Sequence, residues 1–487
     1  MKKILYFLTF ITLFSCSEEL DLSPISSKNV GSFYQTEDQF NQAIMGCYDG
    51  LQNAKLRQNY SYMLTEARSD NAWQQVDYDD GQITRFTDNP SVGVLNSAWA
   101  ASYEYIARCN YLIESLESEN IEIDSDLKNQ LKGEAHFIRA LIYLDLVSFF
   151  GEVPIVDKVL SISEGYEQTK ASIEAVYDFI VDDLKQAIQL LPSVKPSENH
   201  NRATVSAARG FLGKTYVLRS GYPLNKQEWN LAANELKLVL DQVGDAGFLS
   251  SYSDIFEFNN EGGEQAIFSI GCKAGAEGEG NPFPTRNAPN GIQPGNDPLM
   301  IPFGGSPMQL FLYDHILESL FDEPGDFRFD YSVQLEWIEK SKDTITNWPH
   351  CKKYKSGPVS AASDWDIDWI LLRYTDVYML YAEAQYYNGE QQVSLDIINK
   401  VRDRANLEPL SLSSIDTQEK FIDVILKERR KEFCFENQRW SDLVRTDRAF
   451  DVMKEFLKRY NADGNLTSKN QYYYPIPQRV TDVTGLE

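Results

Sequence analysis

Apolar residues recur at steps of three and four over long stretches of this chain, and this spacing limits the fold more than any other feature. One stretch covers residues 173–191 and ends at Pro192, and others cover 229–240 and 377–387. Side chains with this spacing share one face of an α-helix, so each stretch predicts an amphipathic helix packed on a neighbour. In "ALIYLDLVSFF" (140–150) the apolar residues nearly surround the helix, which predicts burial on most sides.

Two such helices in succession resemble a tetratricopeptide unit. Within 212–240, Leu212, Gly213 and Tyr216 lie on the first predicted helix and Ala233 lies on the second. The helix count predicts about four such pairs, which begin near residues 131, 203, 367 and 416. The expected fold class is therefore mainly α, with long irregular insertions and a few short strands.

The helical pattern is interrupted between residues 271 and 308, where 15 of 38 residues are Gly or Pro. This density excludes regular structure there, and "QAIFSI" just before it has the composition of a short strand. Long irregular insertions in a compact protein are usually binding surfaces. We expect ligand-binding insertions at roughly 66–98 and 250–366, and helical regions at roughly 131–243 and 367–447.

The N-terminus has the layout of an export signal. Two lysines precede the apolar run 4–14, which is too short to span a bilayer. The run ends Leu13-Phe14-Ser15-Cys16, which resembles the lipobox of bacterial lipoproteins except that Phe14 replaces the usual small residue. We predict a signal peptide at 1–15, acyl chains such as palmitate on Cys16, and a single mature domain at 16–487. The alternative is an ordinary signal with an incidental thiol.

Composition excludes several classes of function. A formal charge of −26 argues against binding to nucleic acids, which need clustered Lys and Arg, and it disfavours anionic polysaccharides unless a local basic pocket overrules the total. The four histidines have no metal-ligand spacing. Besides Cys16, the chain has five cysteines without a close pair, and these are expected to be mostly buried thiols: Cys47, Cys109, Cys272, Cys351 and Cys434.

We expect no cofactor. The segment "YDDG" (78–81) after Asp77 is similar to a calcium loop, but its glycine comes one position too early for an EF-hand. A structural calcium ion is therefore only an alternative.

Several longer phrases resemble the signature blocks of the SusD/RagB family, in that family's order. The phrases are "GEAHFIRALIYLDLVSFFGEVPIV" (133–156), "LLRYTDVYMLYAEAQYYNG" (371–389), "INKVRDRANL" (398–407), "KERRKEFCFENQRWSDLVR" (427–445) and "YYYPIPQ" (472–478). Each phrase alone is a weak signal, but their combination is specific. The acidic "SEELD" after Cys16 is also similar to the signal that exports lipoproteins of Bacteroidetes to the cell surface.

This resemblance implies a nutrient-binding lipoprotein of the outer membrane that faces the cell exterior. Proteins of this family cover SusC-like TonB-dependent transporters, capture an oligosaccharide or, in some members, a peptide, and deliver it into the barrel. The resemblance implies a transporter partner and a lipid anchor at Cys16. No signature block contains ligand-binding residues, so these must be chosen from chemistry.

Sugars are held by aromatic rings and by planar polar side chains. The stretch 69–85 has no clean periodicity and contains both kinds of side chain. From it we predict glycan contacts by Trp73, Tyr78, Asp70, Asn71 and Arg85, with packing in the core as the alternative for Trp73.

Tryptophans in the second insertion are further candidates, and we include Trp337, Trp348 and Trp365. Trp99, Trp229 and Trp440 follow helical patterns and are expected to pack in the interior.

We expect no catalytic activity. In 427–445, Glu436, Arg439 and Asp442 lie about one helical turn apart, so ion pairs along a helix account for most of the pattern. Acids among arginines have lowered pKa values and make poor general acids. Binding of a neutral glycan is the preferred interpretation. A peptide-binding RagB-like uptake protein is the alternative, and a glycan hydrolase with a helical domain is the third.

Overall fold

A computed structural model describes most of the chain beyond the first 32 residues. The described residues are 33–53, 60–74, 79–118, 122–195, 199–275, 278–289, 312–339, 344–354, 357–361 and 364–486. Cys16 and Tyr78 lie outside these ranges, and the predictions for them are not addressed by the structure.

The described residues form eighteen α-helices, several of them of only one or two turns. In chain order these are α1 (Glu37–Gln52), α2 (Tyr60–Leu64), α3 (Asp79–Arg85), α4 (Gly93–Leu116), α5 (Ser125–Phe150), α6 (Ile162–Tyr166), α7 (Ile173–Leu190), α8 (Val205–Ser220), α9 (Trp229–Val243), α10 (Phe283–Arg286), α11 (Asp314–Leu320), α12 (Phe327–Ser332), α13 (Tyr374–Tyr387), α14 (Gln391–Arg404), α15 (Gln418–Glu432), α16 (Arg439–Arg445), α17 (Ala449–Lys458) and α18 (Gln478–Thr484).

Six short strands form three antiparallel pairs: β1 with β6, β2 with β3, and β4 with β5. The strands are β1 (Ala266–Ile270), β2 (Val333–Glu339), β3 (Thr344–Cys351), β4 (Val359–Ala361), β5 (Asp364–Trp365) and β6 (Trp369–Arg373). The strand β1 is the one that "QAIFSI" predicts.

Helices dominate, and the mainly α fold class with helix pairs and short strands is confirmed. The pairs are α5 with α7, α8 with α9, α13 with α14, and α15 with α16. Their first helices begin at Ser125, Val205, Tyr374 and Gln418, close to the expected starts.

Local chemistry explains where these helices begin and end. The hydroxyl of Ser172 accepts a hydrogen bond from the Ala175 amide and caps α7, which ends two residues before Pro192 as the sequence predicts. Nearly every residue of α5 from Leu131 to Phe150 is buried, because helices pack on several of its sides.

Close packing of α8 on α9 depends on a small residue. A Cβ atom at Gly213 would lie 2.6 Å from the side chain of Leu236, which is nearer than such atoms approach one another. The absence of a side chain at Gly213 therefore lets the two helices come close.

The structure modifies the expectation of irregular insertions. The region 66–98 contains α3 and the start of α4, and the Gly- and Pro-rich segment contains the short helix α10.

Burial of the thiols is confirmed for all five cysteines, which are free and buried: Cys47, Cys109, Cys272, Cys351 and Cys434. Among the described residues, no helix has both the length and the apolar character needed to cross a membrane.

Candidate functional site

The segment from Glu66 to Trp73, where the sequence predicts ligand contacts, lies inside the protein. Asp70 is only 6% exposed. Arg439 donates from Nε to Asp70 Oδ1 at 2.7 Å and from Nη2 to Oδ2 at 3.0 Å. Burial raises the pKa of Asp70, but the guanidinium groups of Arg430 and Arg439 outweigh it and hold that pKa below its ordinary value. The two-fold contact fixes the orientation of the carboxylate.

Asn71 is also committed to protein partners. Its Nδ2 donates to Glu66 Oε1 at 2.7 Å, and its Oδ1 accepts from Arg430 Nε at 2.7 Å. An exposed ligand contact at Asp70 or Asn71 does not fit this burial, so the expectation is corrected: both residues hold the segment in place. Asp70 and Asn71 are buried in this arrangement, with protein side chains as their partners.

Glu66 ties the same segment to the turn that follows α15. Its carboxylate accepts from the main-chain amides of Phe435 at 2.9 Å and Asn437 at 3.2 Å. Phe435 and Asn437 have φ values of 64° and 63°, a left-handed conformation that is unfavourable for residues other than glycine. The buried carboxylate compensates for part of this strain.

Trp73 packs in the interior. It is 5% exposed, its ring stacks on Tyr460 with centroids 3.7 Å apart and planes at 5°, and its edge meets Phe456. It belongs to an apolar cluster that includes Phe86 and Trp440. The core alternative that the sequence leaves open for Trp73 fits this position, and an exposed platform does not.

The stack continues to the surface through three half-buried aromatic side chains. We call Trp73, Tyr313, His315 and Tyr460 the aromatic patch. The rings of Tyr313 and His315 are nearly parallel at 13°, with centroids 5.9 Å apart, and Tyr313 lies 6.3 Å from Tyr460. Trp73 supports Tyr460 from below, so the outer rings have a rigid base.

A hydrogen bond fixes the outer rings relative to each other. His315 Nε2 and the hydroxyl of Tyr460 are 2.8 Å apart. Burial and the charge of Arg459 lower the pKa of His315, which favours the neutral imidazole at pH 7. The patch therefore presents uncharged aromatic faces.

Sequence reasoning missed Tyr313, His315 and Tyr460. Tyr460 follows the last turn of an amphipathic helix, and Tyr313 follows the Gly- and Pro-rich segment, so neither stands out by position. A preference for tryptophan as the sugar-binding side chain selects Trp73, which lies beneath these residues, and does not select the residues themselves.

The remaining predicted site residues lie in different places. Arg85 is half-buried at the end of α3, with its guanidinium carbon 6.0 Å from the centre of the Trp73 ring. Trp365 is 2% exposed and donates from Nε1 to Thr285 Oγ1 at 2.7 Å, so it packs in the interior. Trp337 and Trp348 lie on β2 and β3, and their side chains are outside the described part of the structure.

Charged side chains of α15 and the following turn pair with distant elements. Glu432 contacts Arg373 at 2.8 Å and Arg328 at 3.3 Å. Glu436 contacts Arg373 at 2.8 Å, and Arg439 reaches Asp70. The expected pairing of Glu436 with Arg439 along one helix is therefore wrong.

These arginines control the acidity of their partners. Burial raises the pKa of Glu432, but Arg404, Arg373 and Arg328 together lower it to about 2. A carboxylate in this state holds no proton to donate near pH 7.

A calcium loop is the alternative for the stretch 78–81, and the structure gives Asp79 of this stretch a structural role. Asp79 Oδ2 accepts from the Val94 amide at 3.0 Å, near the start of α4. Among the residues that the structure describes, no three His, Cys, Asp or Glu side chains are placed to share a metal ion.

Two family models match this chain. The model described as "SusD family" matches residues 303–485, and the model described as "Starch-binding associating with outer membrane" matches residues 19–217. The chain belongs to the SusD-like family.

Full-length SusD-like relatives agree with this assignment. The chain is 24% identical to SusD-like protein P25 of Formosa agariphila, over 97% of this chain and 95% of the relative. It is 26% identical to the starch-binding protein SusD of Bacteroides thetaiotaomicron, over 97% of this chain and 94% of that protein.

The fold is also that of solved SusD-like structures. One of them, a laminarin-binding SusD-like protein, superimposes with a TM-score of 0.75 at 22% identity, over 93% of this chain and 99% of that one. At this identity the comparison shows the fold alone.

Proposed function

We propose that this SusD-like protein binds glycans at the outer membrane and delivers them to a SusC-like TonB-dependent transporter without cutting them. The family assignment supports this function, as do a starch-binding and a laminarin-binding protein among the similar proteins. The description of the family model that matches residues 19–217 supports an outer-membrane location.

The observation that carries the proposal is the aromatic patch. Tyr313, His315 and Tyr460 are half-buried and uncharged. One face of the Tyr460 ring stacks on Trp73, which holds the ring in place when a ligand contacts its other face. Sugar rings present C–H faces that stack on aromatic rings. A rigid platform loses little conformational entropy when a ligand binds.

Four further residues are proposed glycan contacts. Arg85 lies beside the patch, and Tyr78 is close to it along the chain. Trp337 and Trp348 lie on the hairpin formed by β2 and β3. We propose that these four residues extend the contact surface around the patch.

We propose a neutral glycan as the ligand class. The chain carries a formal charge of −26, so an anionic polymer meets long-range repulsion as it approaches. The neutral imidazole of His315 adds no positive charge that would offset this repulsion.

A glycan array with the soluble protein lacking residues 1–16 tests the ligand class. Neutral polysaccharides, including starch and laminarin, should bind, and uronate-containing or sulfated ones should not. Binding of peptides with no glycan signal would contradict the proposal and favour the peptide-uptake alternative. Release of reducing ends during long incubation would contradict binding without hydrolysis.

Substitution of an outer ring then tests the location of the site. Stacking on an aromatic ring contributes about 1 to 3 kcal/mol, by analogy with bases on aromatic platforms. Tyr460→Ala should therefore weaken binding by about 5- to 150-fold in calorimetry. Tyr166 is 52% exposed on α6, outside the patch, and Tyr166→Ala is the matched control that should bind as wild type does.

We further propose that acyl chains on Cys16 hold the protein on the outer face of the membrane. Each buried methylene contributes about 0.8 kcal/mol, so several chains give lasting attachment. Cys16→Ser should move the protein out of the membrane fraction, and a high-salt wash should leave the wild type in place. Retention of the variant in cells without the transporter would contradict the anchor.

A further inference from the structure

A large cavity lies between elements from several parts of the chain. It has a volume of about 760 Å³ and lies between α1, the loop 199–202, the turn 258–261, the end of β1 and the segment 366–368. No residue of the aromatic patch lines it. Its volume falls within the roughly 300 to 1,000 Å³ of small-molecule sites. We call this cavity the polar cleft.

One wall of the polar cleft consists of hydrogen-bond acceptors that are fixed in place. Asp366 and Asp368 are 5% and 7% exposed. Asp368 Oδ1 accepts from the Cys272 amide at 3.0 Å, and its main-chain amide donates to Glu261 Oε1 at 2.6 Å. Carboxylate oxygens accept more than one hydrogen bond each, so these groups still have capacity for ligand hydroxyls.

Donors face the same wall from the mouth of the cleft. Lys273 Nζ lies 2.7 Å from Asp366 Oδ2, and its side chain is 76% exposed. His200 Nε2 lies 3.0 Å from Asp368 Oδ2 and is also substantially exposed. The Lys273 ammonium group has three protons, so it can donate to a ligand while it contacts Asp366.

Apolar and amide groups complete the lining. Phe258 is half-buried in the turn before Glu261 and offers a ring to a sugar face, and Asn199 adds a planar amide to the lining. Acceptors, donors and aromatic rings, including those of Tyr48 and Phe268, thus line one cavity, which is the composition that polyhydroxylated ligands require.

We propose that the polar cleft is a second binding site of this protein, which takes a short run of neutral sugar residues. Hydroxyl groups donate to Asp366, Asp368 and Glu261 and accept from His200 and Lys273. A uronate or sulfated sugar would place its negative charge against three carboxyl groups, so the cleft discriminates against anionic glycans. This inference rests on the proposed glycan-binding function, but it concerns a separate site.

Calorimetric titration of the soluble protein with maltohexaose, laminarihexaose, cellohexaose and mannohexaose tests the proposal. We expect at least one of these to bind with two binding events per chain. Asn199→Trp fills the cleft and should abolish one event, whereas Tyr460→Ala should weaken the other. His200→Ala removes a donor without filling the cleft and should weaken the first event alone.

A matched control separates blocking from misfolding. Asn234 is exposed on α9, so Asn234→Trp introduces the same large ring away from the cleft and should keep both events. Unchanged circular dichroism of Asn199→Trp would show that its fold is intact.

The outcomes distinguish the two proposals. A single event that Tyr460→Ala weakens and Asn199→Trp leaves unchanged would overturn the second site and keep the proposed function. A single event lost only in Asn199→Trp would support the cleft and overturn the assignment of the aromatic patch. If none of the four oligosaccharides binds to the wild type, both the neutral-glycan function and this inference are wrong.

Discussion

The helices before residue 250 and those after residue 370 are held together by different kinds of contact. Between α5 and α9 the interior is mainly apolar, with Gly213 against Leu236 and the ring of Phe137 against Phe211. Around α15 the interior is charged. Arg328, Arg373 and Arg429 are among the largest fully buried side chains of the described residues.

The difference follows from what each region must hold. Helices that pack face to face need only complementary surfaces, because apolar contact has no preferred direction. The acids of α15 and the turn after it instead receive side chains from a short helix and a short strand, Arg328 of α12 and Arg373 of β6. Charge-assisted hydrogen bonds are directional, so they fix how these short elements lie against α15.

The aromatic patch depends on this second kind of contact. Asp70 attaches the segment that carries Trp73 to Arg430 and Arg439, which lie on α15 and α16. We infer that the buried charges set the geometry of the patch, although a buried ion pair by itself is weak evidence for stability.

The largest effect in this comparison should come from breaking the charged interior. Glu432→Gln removes a buried negative charge that pairs with the guanidinium groups of Arg328, Arg373 and Arg404. This should lower the free energy of unfolding by about 3 to 5 kcal/mol. The free energy of unfolding in denaturant measures the loss. Lys458→Ala breaks an exposed pair with Glu455, which solvent screens, so it should lower the free energy of unfolding far less. Equal effects of the two variants would remove the distinction between buried and exposed pairs.

Trp73→Ala tests the junction between the charged interior and the patch. Removal of a buried tryptophan typically costs about 3 to 5 kcal/mol, and here it also removes the support beneath Tyr460. Differential scanning calorimetry should show a clearly lowered melting temperature. A melting temperature equal to that of the wild type would mean that Trp73 is exposed and serves as a platform itself.

Leu236→Ala probes the apolar region with a slightly smaller expected effect. The residue is fully buried against Gly213, and Leu→Ala in such a position costs about 2 to 5 kcal/mol. The double variant with Glu432→Gln should be additive, because the two sites share no partner. Strong coupling between them would show that the two regions do not stabilise independently.

The sequence alone predicts the main helices correctly, but it predicts little of the candidate site. Spacing alone locates α7 and its end before Pro192, because both depend on near neighbours in the chain. The partner of Arg439 is Asp70, some 369 residues away, and the spacing of charges on one helix contains no information about such a partner.

The same limit explains the outcome at Trp73. A tryptophan in an aperiodic, polar stretch looks exposed, and only the distant Tyr460 and Phe456 cover it. The outer rings of the patch come from two segments that are far apart along the chain, one with Tyr313 and His315 and one with Tyr460. Only the tertiary structure brings them together.

The smallest predicted effect concerns Glu261 in the polar cleft, where a half-buried carboxyl group lacks the arginines that surround α15. Burial, followed by repulsion from Asp368, raises the pKa of Glu261 to about 7. As pH rises from the ordinary range of a glutamate toward 7, the unfolded chain releases this proton before the folded protein does. Stability therefore falls across that interval, and the loss persists at higher pH.

Glu261→Gln removes this ionisation and keeps an oxygen that accepts from the Asp368 amide. The melting temperature of the variant should match the wild type near pH 4.5 and exceed it modestly at pH 8, since Glu261 is partly exposed. Glu264→Gln changes an exposed glutamate of the same turn, and its melting temperature should follow the wild type at both pH values. If Glu261→Gln lowered the melting temperature equally at both, its hydrogen bond would outweigh its charge, and the cleft would resemble the bonded interior around α15.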